Sequence, residues 1–241
     1  EASKRGTSIY FPNKVIPMFH ERISNDLCSL VPDKDRNALV AEIKFDEIGK
    51  VQSYKFYDAV ICSKKRFTYS EAEEAINNNS FDNQGILKSL VNLKNLTTAL
   101  LRNRKDRRAL EINSIEPQLK IDKYGKIKKI SIPKTLFSHR MIEESMIAAN
   151  VCAADFLKNN NQEGVYRIHE EPDLPDISNL KNYFLSKGMK SSKPQSSIDL
   201  FNSFFKFVYE DKKRNSLAIL ILQSLKRAEY STKEIAHFGL Q

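Results

Sequence analysis

The stretch from Phe137 to Lys158, FSHRMIEESMIAANVCAADFLK, constrains the fold more than any other part of this sequence. Its apolar side chains recur at helical spacing without a proline or glycine to interrupt them. At about 100° per residue, Met141, Ser145, Ala148, Cys152 and Phe156 share one face, and Ile142, Met146, Ala153 and Leu157 share a second. A helix apolar on two sides is expected inside its domain. Yet Glu143 and Asn150 lie two turns apart on the third face, and Glu144 falls at the edge of the first. A buried, unpaired carboxylate costs several kcal/mol or takes up a proton, so Glu143 needs a partner or a wet surrounding. Two readings stay open: the third face is a solvated stripe, or Glu143 faces a polar channel and accepts a hydrogen bond from a ligand hydroxyl.

Elements of both periodicities flank this helix. Ala38 to Phe45 and VQSYKFYDAVICS alternate around the turn DEIGK, which predicts an antiparallel hairpin. A second hairpin is expected in QLKIDKYGKIKKISI, with Tyr124 and Gly125 at its turn and more sheet upstream, from Leu110. Helices are predicted over Tyr69 to Asn77, with Ser70 as N-cap, over Ile86 to Asn103, Asp176 to Lys187, Ser197 to Tyr209 and Asn215 to Ala228. Pro12, Pro17 and Pro32 make Arg5 to Asp35 read as irregular. NNNSFDNQG is a polar loop, and only SSKPQSS resembles a linker, so residues 1–241 are expected to belong to one domain. The class is α+β, a mixed or antiparallel sheet with packed helices.

Charge narrows the partner. A net charge of +9 favours a polyanion, nucleic acid before an anionic membrane. No apolar run reaches the roughly 20 residues of a membrane span. Three scattered cysteines without a CxxC fit reduced, buried thiols in a cytoplasm better than disulfides or zinc. The sequence has no phosphate-binding glycine loop, nucleophile elbow or zincin spacing. The close carboxylate pairs Asp33/Asp35 and Asp173/Asp176 do not resemble a magnesium site. RNRKDRR, Arg102 to Arg108, is either a phosphate contact or a solvated helix end favoured by the helix dipole. Arg167 and His169 share one side of VYRIHEEP, as a phosphate-contacting or structural pair. Tyr10 and Phe11, between Arg5 and Lys14, supply the aromatics among cations of a single-strand stacking platform, or ordinary packing.

Seven stretches, RGTSIYFPNKVIPM, SNDLCSL, YKFYDAVICSKKRFTY, MIEESMIAANVCAADFL, VYRIHEEP, LQSLKRAEYS and HFGL, resemble in order and spacing the catalytic RNB domain of the bacterial ribonuclease R / ribonuclease II family, the ribonuclease R branch above all. The resemblance runs from Glu1 to Leu240. It implies an RNB-like fold and a processive 3′→5′ exoribonuclease that threads single-stranded RNA through a basic channel to a two-magnesium site and releases nucleoside 5′-monophosphates. Tyr10 matches the family tyrosine that stacks near the 3′ end, Tyr69 one that lines the channel, and Glu143 the glutamate that contacts the ribose. Arg167 and Lys226 are candidates for phosphate or structural contacts. Ile112 stands where the family carries an aromatic clamp, so a two-sided clamp is not expected. The family's aspartate-rich metal motif precedes the RGTS stretch and its arginine motif follows HFGL; neither is in this sequence. The chain is therefore expected to be an internal part of a longer enzyme, with Mg²⁺ serving the parent, no metal or catalytic residue of its own, and no hydrolysis by itself. The expected setting is a cytoplasmic monomer, bound to RNA and to no membrane. The rivals are a non-catalytic RNA-binding scaffold and a protein-interaction module.

Overall fold

Eleven residues from Asp35 to Phe45 (β3) run antiparallel to twelve from Val51 to Cys62 (β4), pairing from Asp35 with Cys62 to Phe45 with Val51. The turn between them closes where Asp46 accepts from the Ile48 and Lys50 amides and Gly49 takes φ 80°, a conformation a Cβ would resist. On the ribbon's face Glu42 accepts from its cross-strand partner Lys55 at 3.1 Å and from the Tyr57 hydroxyl at 3.1 Å. The computed structural model describes residues 1–110, 112, 117–122, 124–190, 194–233 and 235–240.

The chain divides into two compact units, Glu1–Thr98 with Ser114–Ala149, and Ala99–Asn113 with Asn150–Gln241. The first opens with the short helix α1, Ala2–Arg5, and a small hairpin of β1 (Ile9–Phe11) and β2 (Lys14–Ile16), then a π-helical turn, Arg22–Leu27. This corrects the expectation of an irregular segment. Pro12 and Asn13 form a two-residue turn, and proline ends a strand there without preventing the hairpin. Arg36 on β3 donates to Asp26 at 2.7 Å and so fastens the π-helical turn to the ribbon. After β4 come α2 (Tyr69–Asn78) and α3 (Gln84–Asp106), then a hairpin of β5 (Gln118–Ile121) and β6 (Ile127–Ser131) with Tyr124 and Gly125 at its turn, as predicted. The upstream sheet expected from Leu110 lies partly outside the described residues, and Leu110, Ile112 and Pro117 are in no strand.

Helix α2 starts two residues before a cap at Ser70 would allow. Thr68, not Ser70, is the N-cap: its hydroxyl accepts from the Glu71 amide at 3.2 Å while the Glu71 carboxylate accepts from the Thr68 amide at 2.7 Å. That reciprocal pair satisfies two helix-end donors, which Ser70 with Glu73 would leave unmet.

Helix α4 spans Phe137–Asn159 and passes from the first unit into the second. Its buried stripe is Ser138, Met141, Glu144 and Cys152. The second apolar face does not turn inward: Ile142 is 43% and Met146 59% exposed. A helical wheel gives the angle each side chain shares, not how much partner surface exists to cover it. The carboxylate that α4 buries is Glu144, 4% exposed, rather than Glu143.

In the second unit, β7 (Tyr166–Ile168) pairs antiparallel with β8 (Glu229–Ser231), and α5 (Leu174–Ser186), α6 (Ser197–Tyr209) and α7 (Ala218–Ser224) build the core. Phe201, Phe204, Phe205 and Val208 recur on one face of α6 and are sealed from solvent, with Phe184 of α5 stacked on Phe204 at 5.0 Å and Phe238 edge-on to Phe201. Each such ring contributes about 1.5–3 kcal/mol over leaving it exposed. The helix predicted over Asn215 to Ala228 is shorter, a 3-10 turn, Lys212–Leu217, followed by α7. Leu225 turns extended so that Glu229–Ser231 can pair with β7, and strand pairing overrides local helix propensity. The class is α+β with antiparallel ladders, distributed over four two-stranded sheets among the described residues. Of the cysteines only Cys152 is buried; Cys28 is exposed and Cys62 half-buried, and all three are free thiols. No described helix is long and apolar enough to cross a membrane.

Candidate nucleic-acid interface

Where α2 begins and α4 begins, two helix ends lock together. The Ser138 hydroxyl donates to the Tyr69 carbonyl at 2.8 Å, and the Ser138 amide donates to the Glu73 carboxylate at 2.8 Å. A carboxylate at a helix N-terminus satisfies an orphan amide and complements the dipole. This fixes the backbone of Tyr69 against the first turn of α4. Its ring then stacks on His139, centroids 3.9 Å apart and planes 17° from parallel. His139 is itself held, because its Nδ1 accepts from the Leu136 amide at 3.2 Å. Tyr69 remains 45% exposed, so the stack is a rigid aromatic surface with one side open to a ligand.

Glu143 lies four residues after His139 on α4, a spacing that puts both on one face of the helix. Its Oε2 accepts from Arg140 Nη1 at 2.8 Å, with both side chains about one-third exposed. The acid is thus in a surface ion pair, which contributes about 0–1 kcal/mol and rearranges readily. Tyr69 and Glu143 are brought to one junction. Tyr10 belongs to the same unit and stands on β1, 78% exposed, opposite Val15 and beside the half-exposed Phe11. Ile112 is in the other unit and exposed.

Arg167 and Lys226 are also in the second unit. The Arg167 guanidinium lies 4.7 Å from the ring centre of its cross-strand partner Tyr230, which is largely exposed. Lys226 Nζ donates to Asp173 at 3.0 Å and Glu170 at 3.2 Å, and the two carboxylates hold its ammonium above the usual lysine range. Lys226 ties the segment after β7 to the end of α7. His169 and His237 meet edge to face at 5.1 Å. Desolvation, then the neighbouring His169, pushes the His237 imidazole down.

The basic run RNRKDRR ends α3, and Arg108 there is spent on the fold: it donates to both oxygens of Asp199, at 3.0 and 2.8 Å, on α6. Sequence reasoning passed over two further features. His139 gave no signal by itself, since the partner ring is 70 positions away in the sequence. Lys64, Lys65 and Arg66 did carry a signal, three cations flanked by the aromatics Phe67 and Tyr69, and all three are exposed. Among the described residues no group of three or more His, Cys, Asp or Glu side chains is placed to hold a metal ion. The donor set described does not fit a two-magnesium centre.

The profile of the RNB domain matches residues 1–241. Ribonuclease R of Thermotoga maritima is 36% identical over 244 residues, spanning 100% of this chain and 34% of that protein. Ribonuclease R of Buchnera aphidicola subsp. Schizaphis graminum is 35% identical over 244 residues, spanning 99% and 34%. The structure of Mycoplasma genitalium RNase R in complex with ribose methylated single-stranded RNA superposes with a TM-score of 0.88 at 30% identity, over 100% of this chain and 38% of that one. The chain spans about a third of the length of the curated relatives it matches. The seven stretches and the α+β architecture have their explanation in a match that runs end to end: the chain belongs to the RNB domain family.

Proposed function

We propose that this chain is the RNA-holding part of a 3′→5′ exoribonuclease that shortens single-stranded RNA to nucleoside 5′-monophosphates. Tyr10 and Tyr69 stack on bases, Glu143 reads the ribose, Arg167 meets phosphates, and Lys226 secures the segment behind it. The observation that carries this reading is the Tyr69–His139 stack with Glu143 on the same helix face. A base stacks on an aromatic ring whatever its identity, which suits an enzyme that must pass every nucleotide. A ribose 2′-hydroxyl can donate to the Glu143 carboxylate in place of Arg140, and deoxyribose has no such donor. The RNA in the Mycoplasma genitalium complex is consistent with this partner.

Hydrolysis in this reading would need several carboxylates to hold Mg²⁺, and the metal would supply polarisation of the phosphoryl group and activation of water. The described residues do not group such ligands, so the chain of 241 residues is proposed to bind RNA without cutting it. The free thiols support a reducing, cytoplasmic setting. A monomer is proposed.

Filter binding of oligoadenylate and oligodeoxyadenylate tests the reading. Tyr69→Ala lowers affinity for both strands by roughly 5- to 150-fold, the equivalent of about 1–3 kcal/mol per stacked base. Glu143→Gln weakens RNA alone, and the preference over DNA shrinks by roughly ten-fold or more, as for a hydrogen bond to a charged group. Equal affinity of the unaltered chain for both strands refutes the ribose reading, and affinity for neither favours a protein-interaction module. A single-turnover incubation with Mg²⁺ leaves RNA length unchanged; shortening would overturn the proposed division of labour.

A further inference from the structure

The segment Lys64–Lys65–Arg66 runs between the end of β4 and the cap of α2, and it leads directly onto the open Tyr69–His139 stack. Six basic side chains elsewhere are committed: Arg36, Lys55, Arg108, Arg140, Arg214 and Lys226 each lie within ion-pair distance of a carboxylate. Lys64, Lys65 and Arg66 are three consecutive cations outside that set. Among the described residues none of them pairs with a carboxylate, although Lys64 Nζ is 3.5 Å from the Cys62 sulfur. Lys65 is oriented rather than loose, 5.8 Å from the centre of the Phe67 ring and 5.9 Å from that of Phe81, two rings that pack together at 5.1 Å. The acid in their field is Glu71, and its carboxylate is occupied by the Thr68 amide of the capping box.

Three adjacent, exposed cations, none in ion-pair contact with a carboxylate, beside a stacking surface have the layout of a single-strand groove, charge along the backbone and rings under the bases. We propose that Lys64, Lys65 and Arg66 form a phosphate-binding subsite for single-stranded RNA, gripping the backbone next to the nucleotide that stacks on Tyr69. The subsite rests on the stacking role given to Tyr69 above, but its signature is separate, because phosphate contacts release counterions and stacking does not.

The test is the salt dependence of binding of the 241-residue chain to a short oligoadenylate. Removing three phosphate contacts in a Lys64→Ala, Lys65→Ala, Arg66→Ala variant lowers the slope of log K against log [salt] by about 2, at about 0.7 for each phosphate on a single strand. Affinity lost between 50 and 200 mM salt then falls about sixteen-fold less than for the unaltered chain. The triple Gln variant keeps side-chain length and gives the same result, and Lys65→Arg, which keeps the charge, keeps the slope. Circular dichroism matched to the parent shows that each variant is folded. Tyr69→Ala lowers affinity at every salt concentration and leaves the slope as it was. An unchanged slope in both triple variants overturns the subsite. A reduced slope with no effect of Tyr69→Ala keeps the subsite and removes the stacking role. No affinity of the parent chain for the oligonucleotide defeats both.

Discussion

Replacing His139 with alanine separates a stack that organises Tyr69 from two rings that merely touch. The change deletes a ring whose centroid is 3.9 Å from that of Tyr69 and an acceptor for the Leu136 amide at 3.2 Å. An aromatic pair contributes about 0.5–1.5 kcal/mol beyond its buried area. The hydrogen bond adds about 0.5–1.5 kcal/mol. His139→Ala is therefore expected to destabilise the chain by about 1–3 kcal/mol, and His139→Phe, which keeps a ring but not the acceptor, by about half of that. Urea unfolding followed by circular dichroism reads both, as a lower midpoint at an unchanged slope. A double-mutant cycle with Tyr69→Ala isolates the stack itself and should give a coupling of about 0.5–1.5 kcal/mol. The same variants report on binding. If His139 holds the Tyr69 ring flat for a base, His139→Ala costs RNA affinity and His139→Phe restores it. A coupling below about 0.3 kcal/mol, within the error of additive distant sites, would show that the two rings do not support each other. Loss of RNA affinity in the phenylalanine variant as large as in the alanine variant would assign the effect to the Leu136 amide instead.

Two further outcomes follow from the second unit. Phe204→Ala, at a fully sealed position stacked on Phe184, is expected to cost about 3–5 kcal/mol, read as a large drop in the thermal midpoint. The His237 imidazole is held below its ordinary value of 6.5 by burial and by His169, with Arg167 adding to the effect, so the folded state favours the neutral ring. A histidine lowered on folding takes up protons first in the unfolded chain. Its contribution is complete above pH 6.5 and is lost as pH falls from there toward the folded value. Stability should decline below pH 6.5, and His237→Phe should flatten that part of the profile.

The parts of the fold legible in the sequence are those governed by local signals. The β3–β4 and β5–β6 hairpins, α4, and α6 with its phenylalanine stripe follow from alternation, turn chemistry and helical spacing. What was not legible depends on partners distant in sequence. Thr68 and Ser70 sit in a similar local pattern, and Thr68 takes the cap with Glu71 while Glu73, the partner Ser70 would need, accepts from the Ser138 amide 65 residues away. The last helix stops at Ser224 because β7, more than 50 residues earlier, claims Glu229–Ser231 as a strand partner. Residue types lead to Tyr69 only through the family resemblance, whereas the helical wheel already leaves Glu143 open as an acceptor for a ligand hydroxyl. That both meet the first turns of α4 depends on Ser138, Glu73 and His139, which no periodicity connects.

Charge runs show why counting cations misleads. RNRKDRR holds five basic residues and SKKR three, so composition alone favours the first as the nucleic-acid contact. Arg108 in the first run is bound by Asp199, Arg104 is engaged as well, and the run sits in and after the last turn of α3, where a helix C-terminus already favours positive charge. Two of its five cations are engaged within the protein, while Arg102, Lys105 and Arg107 have no described carboxylate partner, as Lys64, Lys65 and Arg66 have none. The second run lies in extended chain, with no described carboxylate paired to it, one turn before an aromatic surface. A phosphate gains most from a cation that no carboxylate already holds, since displacing an existing partner costs what the new contact returns. The net charge of +9 thus favours a class of partner. Which cations would meet that partner depends on what the folded chain leaves unpaired and on what lies beside it, and the phosphate contact proposed at Lys64, Lys65 and Arg66 rests on the Tyr69–His139 stack next to them.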